Sequence, residues 1–423
     1  MARSRDQSRA LSTKVTMMSI GRGNGSRLAV VFCTLLLDVT GIALILPVLP
    51  VFLEEIGASD VRQASIQAGL LVFTYSLMQF FLSPLLGALS DKFGRRPVLL
   101  FSIGSFAIDN FICAIATSFW MLLAGRTLAG ISGASIATCS AYIADVSDDK
   151  NRMANFGLIG LAIGLGFVAG PILGGVLGAV GPRVPFIAAA VISMLNLIAA
   201  FVFLPESLPE DRRRPFQLRR AHPLGALRQT IKHRGVASFM VVYFFYCLAQ
   251  SVWPSSWAFV TTYRFGWDEQ AIGLSLGIFG VGQMLVIAFF LPKCSSRLGD
   301  QKTGLIGLAF ATVALAGYGV AWEPWMIYGI FIFTAFEFVS QPALRALASK
   351  RVPPDAQGEL QGALGSVGSL TSLIGPIIYP ASFSFFTGSA TPIYVANAPF
   401  LISALFMFLA LVVYIQKVGF WRR

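Results

Sequence analysis

The chain predicts an all-α integral membrane fold of twelve transmembrane helices in two six-helix pseudo-repeats, and three observations carry that prediction. Of its 423 residues, 56% are hydrophobic and 12% charged, against roughly 45–50% apolar and about 25% charged in soluble domains. A water-soluble globule could not hide that much apolar surface. The apolar residues fall into twelve blocks, each near or beyond the ~20 residues that a helix rising about 1.5 Å per residue needs to cross hydrocarbon. The basic residues gather on one side of the topology that those blocks define.

The elements follow in order. Residues 1–27 are polar and basic with no apolar core of their own, so they read as a cytoplasmic tail and not as a cleaved signal. The first span, 28–53, therefore stays in the mature protein. Spans two and three, 66–89 and 97–117, flank a short basic loop, and span four, 119–146, contains Arg126. Span five, 153–180, is rich in glycine; span six, 184–204, is almost wholly apolar. The stretch 205–235 opens with Pro205-Glu206-Ser207-Leu208-Pro209-Glu210-Asp211-Arg212-Arg213-Arg214-Pro215, charged and proline-rich, which suits a central loop. Six more blocks follow at 236–263, 270–292, 303–321, 325–349, 357–383 and 391–417, before a second tail at 418–423. The domain boundaries are thus an amino-terminal bundle over 28–204 and a carboxyl-terminal bundle over 236–417. Closed barrels, the other spanning solution, need strands that alternate polar and apolar residues, and these blocks do not alternate.

The +12 net charge raises the question of a nucleic-acid partner. With both termini cytoplasmic, 28 of the 32 basic residues fall in cytoplasmic segments, only Arg62, Arg183 and Arg264 lie opposite, and Arg126 is within a span. That asymmetry is the positive-inside pattern of a multi-pass membrane protein with both termini in the cytoplasm. The partner it implies is a lipid bilayer and not nucleic acid. Cys33, Cys113, Cys139, Cys247 and Cys294 show no metal-type spacing, so no metal site is expected. His222 and His233 both lie in the central loop, which excludes intramembrane histidine relays. No nucleophile–base pair or phosphate loop occurs within the spans, so an enzyme is not expected.

Charged and small residues inside the spans carry the functional signal. Gly87-Ala88-Leu89-Ser90-Asp91-Lys92-Phe93-Gly94-Arg95-Arg96-Pro97 joins a glycine turn to a carboxylate among guanidinium groups, whose charge-assisted bonds can break when helices rock. In span five, Gly157, Gly166, Gly170, Pro171, Gly174 and Gly175 supply small residues for close helix approach and a proline kink. Arg126, followed by Thr127-Leu128-Ala129-Gly130 with Gly133 and Ala134, stays charged and needs a carboxylate or several carbonyls facing the bundle interior. Asp38 in span one and Asp109 in span three are carboxylates in hydrocarbon, costing about 2.5–3.5 kcal/mol each. Either can alternate between a proton and a cation, or serve as the structural partner of Arg126. The halves also echo each other: Gly170-Pro171 recurs as Gly375-Pro376, and Asp91 to Arg96 has a degraded counterpart in Arg297-Leu298-Gly299-Asp300-Gln301-Lys302. Two such repeats around a midplane site is the layout of alternating-access carriers.

These motifs resemble the major facilitator superfamily, and the span-five array resembles the pattern that marks its antiporters. Over most of the span region the chain is similar to the tetracycline/proton antiporters, through Leu37-Asp38-Val39-Thr40-Gly41, Leu46-Pro47-Val48-Leu49-Pro50, Tyr75 with Leu77-Met78-Gln79, Gly94 to Leu100, Arg264-Phe265-Gly266-Trp267, Gln357-Gly358 with Leu360-Gln361-Gly362, and Ile374-Gly375-Pro376. The resemblance implies a major facilitator fold in the bacterial inner membrane, functional as a monomer, that exchanges protons for a small-molecule drug, tetracycline-like and carried as a divalent-metal chelate, with no cofactor. It implies proton coupling at Asp38 and Asp109, gating at Asp91, Arg95 and Asp145, and a drug contact at Gln79 near Tyr75. Symport of another small solute on the same fold is the alternative.

The second half departs from that pattern. The position of the family's span-nine carboxylate is Ala311, and that of a span-eight histidine of some members is Gln283. Glu337 is the one acid deep in a span of this half and is the candidate substitute as a proton or cation site. Tyr243, Phe244, Phe245, Tyr246, Gln250, Trp253 and Trp257 give span seven an aromatic, amide-bearing face that suits a flat amphipathic ligand, or else faces lipid and the interface.

Overall fold

The computed structural model describes residues 27–133, 135–148, 151–213, 225–231, 236–353, 356–388, 391 and 393–418. The tails 1–26 and 419–423, Ala134, Lys150 and most of the central loop, including His222 and His233, lie outside the described residues. Among the described residues, eleven helices are long and apolar enough to cross a membrane. One of these, the 52-residue stretch Glu269–Val320, is broken at Gly299, whose φ of 74° and ψ of 163° are not helical. Its two parts make the span total twelve.

The helices are α1 (Arg27–Leu44), α2 (Val61–Phe93), α3 (Arg95–Ile115), α4 (Phe119–Val146), α5 (Arg152–Gly178) and α6 (Val184–Phe203) in the first half. The second half holds α7 (Val236–Phe265), α8 and α9 on either side of Gly299, α10 (Pro324–Ser349), α11 (Gln357–Thr387) and α12 (Ala398–Val413). The first span is not continuous. Residues 45–48, which include Pro47, form a turn before a short helix, Leu49–Glu55, because proline cannot donate to the preceding helical turn. Helix α8 also overruns its apolar block, continuing as helix through the polar residues before Gly299.

Corresponding helices of the two halves break at mid-membrane. Helix α4 is interrupted between Ile131 and Ser135, α10 between Glu337 and Ser340, and α7 at Ser251. Such breaks release backbone carbonyls where a binding site can use them. The halves meet through α5 against α8 and α2 against α11. Side chains are absent where backbones touch: Gly175 lies on the Glu269 carbonyl, Gly273 on that of Pro171, and Gly69 on that of Pro376. Arg62 adds a hydrogen bond from Nη1 to the Thr387 carbonyl at 3.3 Å. These contacts lie at the end of the bundle opposite the basic loops, and the cavity between the halves is sealed at that end.

Candidate functional site

The charged residues deep within the spans of the first half form two separate arrangements. Asp109, fully buried on α3, pairs with Arg126 Nη2 of α4 at 2.5 Å. Cys113, one turn along α3, donates its Sγ to Asp109 Oδ1 and accepts Arg126 Nη2, both at 3.5 Å. Gly125 precedes Arg126 because any side chain there would meet the Asp109 carboxyl. The sequence left open which acid serves Arg126, and the structure gives it Asp109. Among the described residues Asp38 has no cation beside it; its Oδ1 accepts Asn196 Nδ2 of α6 at 3.4 Å, and Asn196 in turn accepts Thr34 Oγ1 at 3.2 Å.

Both arrangements border the cavity. Arg126 lines a chamber of about 250 Å³ between the halves, with Tyr75, Gln79 and Phe106 of the first half and Ser251, Pro254 and Ser372 of the second. Asp38 lines an adjoining recess with Tyr75, Gln79, Ser102 and Ser132. Gln79 donates to Tyr75 Oη at 3.2 Å and to the Gly133 carbonyl at 2.9 Å, a carbonyl that the break in α4 leaves available. Tyr75 and Gln79 therefore touch both chambers.

A further chamber of about 610 Å³ belongs mainly to the second half and is lined by Tyr243, Tyr246, Gln250, Trp253, Phe279, Gln283, Phe338 and Gln341. The span-seven aromatics mostly turn inward: Tyr243, Tyr246 and Trp257 are buried. Trp257 is part of the packed core, donating to Ser275 Oγ at 3.0 Å, so it does not line the cavity. Glu337 is fully buried behind Gln250, whose Nε2 donates to Glu337 Oε1 at 3.0 Å. Ala311 is buried on α9, with no polar group to offer.

At the basic-loop end, Arg95 binds Asp91 at 2.5 Å, Asp145 at 3.1 Å and Ser90 Oγ at 2.7 Å. Gly94 is the turn, with φ 105° and ψ 161°, a region that side-chain-bearing residues essentially never enter. Gly87 lies inside α2 with open space around its Cα, so the turn depends on Gly94 alone. Arg96 donates to the Phe201 carbonyl at 2.6 Å. In the span-five array Gly166 and Gly170 pack on α1, Gly174 on the Leu44 carbonyl and Gly175 on α8; Gly157 has nothing within 4 Å.

Two residues emerge that the sequence reading passed over. Glu206, just after α6, accepts Arg95 N at 2.8 Å and Arg96 N at 3.1 Å, capping α3 from 110 residues away. An acid directly after an apolar block was its only signal. Asn196 is the other, an isolated amide in the run Met194-Leu195-Asn196-Leu197-Ile198. Among the described residues no group of three or more His, Cys, Asp or Glu is placed to hold a metal ion.

Comparison with known proteins agrees with this architecture. Residues 31–376 match the model of the Major Facilitator Superfamily. The class C tetracycline resistance protein of Escherichia coli is 40% identical over 371 residues, 87% of this chain and 93% of that protein. The class G tetracycline resistance protein of Vibrio anguillarum is 36% identical, over 84% of this chain and 89% of its own. Among solved structures, the nucleoside transporter NupG superposes with a TM-score of 0.74 at 14% identity, covering 93% of this chain and 99% of that one, which shows the shared fold. The chain belongs to the Major Facilitator Superfamily and, within it, to the family of the tetracycline resistance proteins.

Proposed function

We propose that this chain exports an amphipathic, tetracycline-like drug from the cytoplasm by alternating access, exchanging it for protons through Asp38, Asp109 and Glu337. The observation that carries the reading is a cavity between two six-helix halves, sealed at one end and bordered by Asp38 and the Asp109–Arg126 pair. With the basic loops and both termini in the cytoplasm of a bacterial cell, the sealed end is the outer one, and this state is ready to take drug from inside. The tetracycline resistance proteins supply the substrate class by their names, and a divalent-metal chelate of the drug would travel as cargo. We take the monomer as the transporting unit, because residues of both six-helix halves of one chain line the cavity.

The roles follow from the charges. Asp38 has no cation partner, so a proton there neutralises a free carboxylate. Asp109 is balanced by Arg126, so a proton on Asp109 leaves the guanidinium charge uncompensated in the cavity wall. A cationic or chelated drug is repelled by that uncompensated guanidinium and attracted by Asp38 only while Asp38 carries no proton. Everted membrane vesicles test the exchange: drug added to energised vesicles releases protons from the lumen, and Asp38→Asn abolishes the release while the protein still inserts. Protons moving in the same direction as the drug would instead mark a symporter, and full exchange by Asp38→Asn would remove that residue from the mechanism.

A further inference from the structure

The chamber of the second half is built differently from the recess around Asp38. Trp253, Phe279 and Phe338 form a continuous aromatic wall, with centroid separations of 4.5 Å and 5.2 Å for the successive pairs. Gln250 stands between this wall and Glu337. It donates to Glu337 Oε1 at 3.0 Å and to Tyr246 Oη at 3.1 Å, and its Oε1 accepts Trp253 Nε1 at 3.1 Å. Both amide hydrogens and the carbonyl are engaged, so the orientation of the amide is set.

Glu337 is left incomplete by this network. Its Oε2 is buried and accepts no hydrogen bond from a described residue. No described cation pairs with it; Arg345, eight residues on, donates instead to Tyr243 Oη at 3.2 Å. A carboxylate in hydrocarbon without a counter-charge is expensive, and the faces of aromatic rings attract cations. Gln250 couples the two, because an amide that donates to a carboxylate becomes a stronger acceptor at its carbonyl.

We propose that this chamber recognises an amphipathic organic monocation, whose charge lies over Trp253, Phe279 and Phe338 and whose counter-ion is Glu337, acting through Gln250. The proposal rests on the drug-efflux reading and names its substrate class. A proton on Glu337 removes the counter-charge, so protonation and cation binding oppose each other although the cation does not touch the carboxyl. The chain meets the absence of an acid at Ala311 by placing its second-half carboxyl on α10, behind the aromatic wall.

Equilibrium binding to the purified full chain in detergent tests this with two probes of similar size, the cation tetraphenylphosphonium and the neutral triphenylphosphine oxide. The wild-type chain binds the cation at least about tenfold more tightly, and Glu337→Gln lowers cation affinity by about tenfold while changing that for the neutral probe by less than about twofold. A wild-type preference below about threefold, or unchanged cation binding in a monodisperse Glu337→Gln, overturns the proposal. Should Glu337→Gln not fold, the wild-type comparison decides alone. Tetracycline with Mg²⁺ in everted vesicles separates the two levels: proton release with tetracycline but no cation preference rejects only this inference, whereas no proton release with either drug or cation rejects the efflux reading beneath it.

Discussion

Asp109 and Arg126 place opposite charges 2.5 Å apart on neighbouring helices within the membrane. Removing one partner of such a pair costs about 3–5 kcal/mol because the other is left buried and uncompensated, whereas replacing both by apolar residues is often close to neutral. Asp109→Asn should therefore lower the thermal unfolding midpoint of the purified protein sharply, and Asp109→Leu with Arg126→Met should recover most of it without recovering proton-coupled efflux. A stable single variant would show that the pair holds nothing together. Asp38 has no such cation, so Asp38→Asn should lose coupling with little loss of stability, which the same two measurements distinguish. These residues were legible in the sequence because a charge in an apolar block has so few innocent explanations. Their pairing was not, since either acid lay within reach of Arg126 until the helices were packed. Asn196 was invisible for a related reason: its meaning is its bond to Asp38, 158 residues away.

Among the elements, α5 shows most directly how a motif becomes a mechanism. Its glycines let two different partners approach, α1 at Gly166, Gly170 and Gly174, and α8 at Gly175. The spacing announced close packing, but the partners are long-range and only the folded chain assigns them. Because α8 belongs to the other half, Gly175 lies on the contact that seals the cavity. A branched side chain inserted there costs about 1–3 kcal/mol, which biases an equilibrium between two states by roughly five- to 150-fold. Gly175→Val should open the sealed end, lengthening the distance between spin labels at Ala179 and Asp268 and slowing drug efflux. Gly164→Ala, with nothing within 4 Å of the added carbon, should leave that distance unchanged. If Gly175→Val also leaves it unchanged, α5 and α8 do not form the seal. The mid-membrane breaks were less legible than the glycines. Pro47 foretells the one in α1, and Pro342, which cannot donate to the Phe338 carbonyl and crowds it, the one in α10 beside Glu337, but no proline announces the interruption of α4 at Ser132 and Gly133.

Across the whole molecule the two halves repeat a device with its charges exchanged. Gly94 and Gly299 occupy the same unusual backbone region, at φ 105°, ψ 161° and φ 74°, ψ 163°, and each opens the third helix of its half. After Gly94, Arg95 pairs with Asp145 at the end of α4; after Gly299, Asp300 pairs with Lys350 at the end of α10, at 2.6 Å. The weak likeness of the two loops in sequence concealed this correspondence, because the positive and negative partners have changed places. Replacing either glycine by alanine incurs the backbone strain of about 1–3 kcal/mol, but only at Gly94 does the new carbon also meet the Glu206 carboxyl. Gly94→Ala should thus be the more damaging, and the difference in unfolding midpoint between the two variants measures the Glu206 cap. The Asp300–Lys350 pair is open to water on its lysine side, so it contributes little stability, within about 1 kcal/mol. The hydrogen bond from Lys350, with a second from Ser295, holds the Asp300 carboxyl below its usual value of 3.8. A carboxyl lowered on folding stabilises the native state above its ordinary value and loses that contribution only as pH falls through the lowered one. The pair should therefore stay closed at every pH in which a cell maintains a proton gradient, serving as a fixed brace of its half while protons act at the intramembrane acids. Asp300→Lys alone should slow efflux by setting two cations together, and Asp300→Lys with Lys350→Asp should restore the rate, unaltered in its dependence between pH 6 and pH 8, a range well above the carboxylate's by roughly two units or more. Failure of the double exchange to recover the rate would mean that the second half needs these charges in their present order, and that the two halves are braced by different means.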